Sequence, residues 1–386
     1  MFIVEHVSGK KFVVGSRRPA KEGAHHGIPL HLHMNFDKLT APDTLSYSPK
    51  AMTALAQMYM NDSLGCCVIA GGYHSVGIWS GNADGGTPFI ANDGMILADY
   101  GAIGGYVQGQ PSTDNGCDQP TAFQYWMGLP VNGVQGKGFA DGSYLDGYAS
   151  VDGTNVQEIK GAIFALEGVT FGVNLPAAWV AGMSTMRAGF VWDVAGDPVP
   201  ANGHDFIACG YNAQGVQICT WGMIGTITWA AIAKYAVAAA GGALYALLSL
   251  DQIARGQQAA PNGINWAGLI ADIKALPSAI LGNRSPSSPA PAPSPAPTPT
   301  PPPPPPSTPP SVPPPPSEPP SVPPDAPPMT PPTPVQSSAA HGGRGSPSQA
   351  QKRFMTGPMV PPVLNRPIRV PVLRAPTKVK PVREKK

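Results

Sequence analysis

Apolar residues recur at helical spacing in three stretches of the chain. One stretch places four apolar residues on a single helix face, and polar residues just before it supply an N-terminal cap signal. Its apolar positions are Val156, Ile159, Ile163 and Leu166. A second stretch is apolar from Cys67 to about Trp79 and follows a polar turn. The patterns predict helices over residues 67–79, 156–166 and 228–240.

Short unbroken apolar runs lie between and after these helices, at residues 168–175, 203–211 and 243–249. Runs of this length bounded by glycine or proline are typical of buried strands. His204 stands near the start of the middle run, and Trp221-Gly222 follows on what we expect to be the next strand. Helices and strands together predict an α+β fold.

A membrane span is the alternative interpretation of the most apolar segment, residues 235–250. The segment is free of charge but is interrupted by Gly241-Gly242, and it is shorter than the roughly 20 residues that a span needs. We therefore expect no transmembrane segment. At the amino terminus Glu5 stands where a secretory signal carries bases, and no apolar core follows it. We expect no signal peptide.

Proline usage divides the chain. Of 49 prolines, 28 lie between Pro286 and Pro334, in a stretch with too few large apolar residues to form a core. Such a stretch is typical of an extended polyproline II spacer. We predict an N-terminal segment at 1–40, a main domain at 41–255, a helical or linker segment at 256–284, a disordered Pro-rich spacer at 285–334 and a disordered basic tail at 335–386.

The tail concentrates positive charge. From residue 335 onward the chain has eleven Lys and Arg and one acid, Glu384. The tail is therefore strongly basic, although the net charge of the whole chain is only +2. A tail of this kind docks on a protein partner or on a polyanion through charge alone. Phe354 is its single aromatic residue, which disfavours base stacking.

The histidines and cysteines are the candidate metal ligands of the chain. His31 and His33 share a face if they lie on a strand, as we expect, and two such imidazoles begin a metal site. No nearby residues complete the ligand set, and the five cysteines follow no zinc spacing. We expect no metal, no cofactor and reduced, mostly buried cysteines.

Cys67 and His204 are the candidate reactive pair. A thiol in the first turn of a helix feels the positive end of the helix dipole, and its pKa is expected to fall. An imidazole on a strand across a cleft can then form a thiolate–imidazolium pair with it. Cys66 is the alternative nucleophile, although neighbouring helical residues face about 100° apart. His74, two turns further along the same helix, is expected to pack rather than to act as the base.

These blocks together resemble papain-like cysteine peptidases, and more closely a set of papain-like proteins of phages and bacteria without assigned activity. The resemblance covers roughly residues 28–253 and implies a helical lobe and an antiparallel, barrel-like β lobe. It also implies that the main domain is papain-like. The matching blocks are residues 60–82, 112–117, 124–126 and 171–176, with the His204 and Trp221 motifs.

The resemblance assigns roles residue by residue. It implies that Cys67 is the nucleophile and that His204 is the general base and acid. It implies that Asn61, six residues before the cysteine, is the side-chain donor of the oxyanion hole. Trp221 matches the tryptophan that shields the imidazole.

Two positions depart from the papain pattern. Cys219 stands where that family has the asparagine that orients the histidine, and a thiol is a poor acceptor for an imidazole N–H. Thr220, Asp205 or a main-chain carbonyl would have to take its place. Cys66 also departs, because the related proteins tend to have Asp or Ser there.

Three functions remain open from the sequence. The first is a papain-like cysteine hydrolase of peptide bonds, with a peptide or protein as substrate. The second is an inactive structural or binding protein of the same fold, associated with a phage virion and anchored by its Pro-rich basic tail. The third is a cell-wall amidase, which uses the same Cys-His pair. The location expected is cytoplasmic or virion-associated.

Overall fold

A computed structural model describes residues 1–282. Its strands are β1 (Phe2–Glu5), β2 (Lys11–Val14), β3 (Ile28–Pro29), β4 (Leu45–Ser46), β5 (Gly147–Val151), β6 (Val169–Pro176), β7 (Val191–Trp192), β8 (Pro198–Tyr211), β9 (Gly215–Thr220), β10 (Met223–Thr228) and β11 (Ala243–Leu248). Its α-helices are α1 (Met52–Leu55), α2 (Cys67–Asn82), α3 (Asp93–Gly104), α4 (Gln119–Trp126), α5 (Val156–Leu166), α6 (Ala177–Gly182), α7 (Trp229–Tyr235), α8 (Leu250–Ala259) and α9 (Trp266–Gly282). The predicted α+β class is confirmed.

The main sheet runs in the order β3-β5-β11-β6-β8-β9-β10-β7, and β4 pairs with β8. Its long central strand, β8, is antiparallel to β6 and β9. The strand is buried over its last ten residues, from 202 to 211, because other elements cover both faces there. That burial explains why its sequence is an apolar run without polar alternation.

Helix α2 begins at Cys67 and packs across β8. Most of its residues are buried, so it reads as apolar all round rather than amphipathic. Gly71 permits the close approach, because a Cβ there would lie 2.5 Å from Asp205 Oδ1 on β8. The helix thereby brings its first turn against the strand that carries His204. The helix that carries Cys67 and the strand that carries His204 therefore pack against each other, as the sequence analysis expected.

The first 18 residues form a hairpin and a short extended segment on the body of the protein. Strands β1 and β2 pair antiparallel, with Phe2 opposite Val14. The apolar residues of β2 are buried, Phe12 and Val14 completely so, because they pack on the body rather than facing solvent. The extended segment after the hairpin, residues 16–18, makes backbone hydrogen bonds to Gly203 on one side and to Cys117 on the other.

Three local predictions were wrong. His31 and His33 lie on a 3-10 helix, Leu30–His33, rather than on a strand; His31 is exposed and His33 Nε2 bonds to Asp272 Oδ2 at 3.0 Å. The helix predicted over 228–240 ends at Tyr235, and a separate 3-10 turn at Ala238–Ala240 ends at Gly241 with a φ of 71°. Proteins commonly end helical turns with a left-handed glycine.

The third error concerns Trp221, which lies in the turn between β9 and β10 instead of on a strand. Its φ is 47°, which is uncommon for a residue other than glycine. The turn places its indole beside β8, where it contacts the histidine described below.

The part of the chain beyond β11 folds onto the body as α8 and α9. Ser249 begins α8 with a capping box that includes Gln252, and α9 buries an apolar stripe from Trp266 to Ile280. No helix within residues 1–282 is long and apolar enough to cross a membrane. The predicted Pro-rich spacer and basic tail lie outside the described residues.

Candidate functional site

Cys67 is the first residue of α2, and its side chain is almost fully buried. Its Sγ accepts a hydrogen bond from Ser16 Oγ at 3.2 Å. Burial, and then the charge of Asp205, raise the pKa of the thiol to about 12. The prediction that the helix dipole lowers this pKa is therefore wrong for the covered site, where desolvation outweighs it.

His204 lies on β8 and is completely buried. Its Nε2 is 2.7 Å from Thr220 Oγ1, and its ring stacks on Trp221 with 3.9 Å between ring centroids and 7° between planes. Its Nδ1 has no hydrogen-bond partner. Burial, with the positive charge of Arg17, lowers the pKa of the imidazole to about 3. A buried imidazole with one fixed nitrogen and one free nitrogen is arranged to exchange a proton at the free one.

Alternation along β9 decides which residue reaches the imidazole. Cys219 and Thr220 point to opposite faces of the strand. The Cys219 thiol donates to Leu55 O at 3.1 Å within a separate apolar cluster, whereas Thr220 points toward His204. Thr220 is thus the side chain in contact with the histidine, one position after the one where the papain pattern has its asparagine.

Asn61 is buried and lies beside Cys67 on the wall of a small cavity. Its Nδ2 donates to Leu64 O at 3.0 Å, which uses one of its two amide protons. Thr220 and Trp221 line the same cavity. The cavity wall thus brings together five of the six residues assigned to the site from the sequence. The sixth, His204, lies behind Thr220 and Trp221, and no hydrogen bond joins its Nδ1 to the Cys67 sulfur.

Cys66 and His74 take other positions. The Cys66 thiol donates to Tyr59 O at 3.3 Å and is fully buried. His74 Nε2 is 3.1 Å from Gln57 O, and burial lowers the pKa of this imidazole to about 4. His74 does reach the wall of the cavity, but its bonded ring packs on Tyr59.

The N-terminal segment covers this site, which the sequence reasoning missed. Ser16 caps the sulfur, and the Phe12 ring lies 5.3 Å from the Trp221 ring. The backbone N–H of Arg17 donates to Gly203 O at 3.0 Å, and that of Arg18 donates to Cys117 O at 3.0 Å. An extended chain therefore lies between two walls of the protein, directly over the sulfur. The apolar run at 12–14 was the available signal, but it did not show where the strand would pack.

A buried polar network lies beside the sulfur. Thr170 Oγ1 is 2.9 Å from Asp205 Oδ2, and Gln119 Nε2 donates to Thr170 Oγ1 at 3.2 Å. Burial raises the pKa of the Asp205 carboxyl, while Thr170, Arg17 and Gln119 act in the opposite direction. Burial outweighs these partners, so the pKa of the Asp205 carboxyl stays above its ordinary value. Asp205 is the one member of this network that the sequence analysis singled out.

Within residues 1–282 no group of three or more His, Cys, Asp or Glu side chains is placed to hold a metal ion. All five cysteines are free and buried.

Comparison with known proteins found similarity only to solved structures. No family model and no curated protein matches the chain. Xylellain, a cysteine protease from Xylella fastidiosa, is 12% identical with a TM-score of 0.43, over 65% of this chain and 99% of the other. ProCathepsin B S9 from Trypanosoma congolense is 10% identical with a TM-score of 0.40, over 61% and 87%. The Carica candamarcensis cysteine protease CMS1MS2, in complex with E-64, is 15% identical with a TM-score of 0.35, over 54% and 99%.

Proposed function

We propose that this protein is a cysteine hydrolase that cleaves an amide bond of a peptide or protein. The observation that carries the proposal is the setting of His204. Its ring is clamped between Thr220 and Trp221, its Nδ1 is free, and those two residues line one cavity with Cys67. A fixed imidazole and a thiol at a helix start are the parts that nucleophilic catalysis requires.

The chemistry proceeds in two steps. The Cys67 thiol gives its proton to His204 Nδ1, and the sulfur attacks the carbonyl carbon; the imidazolium then protonates the leaving amine, and a thioester remains. Water next gives a proton to the same nitrogen and attacks the thioester, which releases the acid and returns the proton to the sulfur. The second amide proton of Asn61 and the backbone N–H of Cys67 are the proposed oxyanion donors.

Thr220 is the proposed positioning residue. Its hydroxyl accepts from Nε2–H of His204 and so presents the other nitrogen as the base. A hydroxyl is neutral, so it orients the ring without adding a negative charge that would stabilise the imidazolium. Trp221 covers this hydrogen bond and keeps water from competing for it.

The substrate class follows from what already lies over the sulfur. The chain at residues 16–18 is extended and makes backbone hydrogen bonds to Gly203 and Cys117 on either side. Backbone contacts of this kind accept any peptide of suitable shape. Because this segment occupies the site, we infer that hydrolysis requires it to move aside.

Hydrolysis of casein and of peptidoglycan by the full chain tests the proposal. We expect peptide cleavage that Cys67→Ala abolishes and that Cys66→Ala, the matched control, leaves largely intact. Loss with Cys66→Ala but not with Cys67→Ala would refute the assignment of the nucleophile. Release of fragments from peptidoglycan but not from casein would favour the cell-wall amidase.

A structural or binding protein without turnover is the second candidate. It is favoured by the neutral state of both reactive groups, since burial lowers the pKa of His204 and raises that of Cys67. In this candidate the predicted phage-virion association rests on the tail, which lies outside the described residues. Full function of a Cys67→Ser protein in its native assembly would support it.

A further inference from the structure

The side chain of Arg17 fills a buried slot beside the candidate nucleophile. The residue is 7% exposed, although arginine is seldom buried without a specific partner. Its Nη1 and Nη2 both donate to Gly241 O, at 2.9 and 2.7 Å. Arg18, the next residue, is exposed and bonds through its side chain to Asn115 O. The slot thus takes one arginine of the pair and leaves the other at the surface.

The walls of the slot lack side chains where the arginine passes. A Cβ at Gly172 would lie 2.5 Å from Arg17 Nε, and one at Gly203 would lie 2.2 Å from Arg17 O. A real Cβ atom does not approach other heavy atoms that closely, so a larger residue at either position would close the slot. The space is shaped for a long, flat side chain on an extended backbone.

The slot is also acidic. Asp205 and Asp118 are almost fully buried, and both attract the Arg17 guanidinium. Thr170 donates to the Asp205 carboxyl, and Gln119 donates to Thr170. The Nε of Arg17 has no hydrogen-bond partner, so the two Nη atoms alone hold the guanidinium in the slot by hydrogen bonds. Burial raises the pKa of the Asp205 carboxyl, and the positive charge of Arg17 opposes that rise, so a cation in the slot is favoured over an apolar or acidic occupant.

We propose that this slot is an arginine subsite, which selects peptides carrying arginine at the residue whose backbone N–H bonds to Gly203 O. The inference rests on the proposed function, because it takes the N-terminal segment to occupy the position of a substrate. Arginine fits better than lysine, since its planar fork places two donors on one carbonyl oxygen and a lysine has a single ammonium.

Peptide binding tests the subsite independently of catalysis. The host is the full chain with Cys67→Ala, which removes turnover, with Phe12→Ala, which loosens the covering hairpin, and with Arg17→Ala, which empties the slot. The probes are three capped hexapeptides: VGSRRP, which copies residues 14–19, and the versions VGSLRP and VGSRLP. The two leucine peptides have equal charge, so a difference between them reports position and not net charge. Fluorescence anisotropy gives each dissociation constant.

We expect VGSRRP and VGSRLP to bind about ten- to a hundredfold more tightly than VGSLRP, the range for a charge-assisted hydrogen-bonded group. Asp205→Asn in the same host should remove most of this preference. Equal binding of the three peptides, or no binding by any, overturns the subsite.

A second measurement covers the case in which the host fails to fold. Arg17→Leu in the otherwise native chain should speed iodoacetamide labelling of Cys67 about tenfold or more, because the segment loses its anchor, whereas Arg18→Leu should not. Equal labelling of the two variants overturns the subsite. Arginine-selective binding by the host, with no hydrolysis by the chain that retains Cys67, would support the subsite and refute the proposed hydrolase. Hydrolysis without a preference for arginine would support the hydrolase and refute the subsite.

Discussion

At the scale of single residues, His204 is held in its neutral form by burial. Its pKa of about 3 lies well below the ordinary value of 6.5. Above pH 6.5 neither the folded nor the unfolded chain is protonated at this residue. Below it the unfolded chain binds a proton that the folded chain does not, so stability falls as the pH drops toward 3.

The first prediction isolates this effect. The free energy of unfolding of the wild type should fall by about 2 kcal/mol more than that of His204→Asn between pH 7 and pH 5, because only the wild type gains that proton on unfolding. Urea denaturation at the two pH values measures the difference. Parallel pH dependence of the two proteins would show that the imidazole is solvated.

Thr220 provides the second prediction. Thr220→Val keeps the shape but removes the acceptor for Nε2, and we expect hydrolysis to drop about ten- to a hundredfold. Thr220→Ser keeps the hydroxyl and should restore most of the rate. The pH profile of kcat/KM shows whether Thr220 orients the imidazole or only packs against it. If it orients the imidazole, the valine variant should also shift the acidic limb of the profile. If it only packs, the rate should fall by the same factor at every pH.

At the scale of elements, the junction between α2 and β8 depends on glycine. Gly71→Ala would place a methyl group against the Asp205 carboxylate, and we expect a loss of about 1–3 kcal/mol in stability. Gly182→Ala in α6 is the matched control, since nothing lies within 4 Å of its added Cβ and the substitution should be neutral or stabilise slightly. Thermal unfolding measures both. Equal effects would mean that the helix and strand are not in close contact.

The elements themselves were largely predictable from the sequence. The helix over 156–166 and the start of α2 were found because their signals are local: apolar spacing and a preceding polar turn. The histidine strand was found because its burial makes it an apolar run. His31 and His33 were misplaced because a short 3-10 turn has no periodicity of its own to recognise.

The rest of the site depends on distant contacts, which no local pattern encodes. Ser16 reaches Cys67 across 51 residues, and Arg17 reaches Gly241 across 224. The sequence left three groups as candidates to orient His204. Thr220 is the one that contacts it, and this follows from the pairing and facing of β9, which needed the structure.

At the scale of the whole described chain, residues 1–282, the N-terminal segment, helix α2 and the main sheet all lie next to the Cys67 sulfur. Ser16 covers that sulfur, and Phe12 packs on the tryptophan beside the histidine. The Cys67 thiol and the His204 imidazole are both neutral in this arrangement, because burial raises the pKa of the first and lowers that of the second. Exposure to water removes the desolvation that raises the thiol pKa and lowers the imidazole pKa, and the same motion opens a path for a peptide.

The most direct test of the account is the labelling of individual cysteines by iodoacetamide at pH 7, read by mass spectrometry. The host carries Phe12→Ala, which loosens the covering hairpin. We predict that Cys67 reacts first among the five cysteines, and that adding His204→Asn slows this reaction about tenfold or more because the base is lost. Labelling of Cys67 no faster than that of Cys66, with no effect of His204→Asn, would contradict the proposed pair.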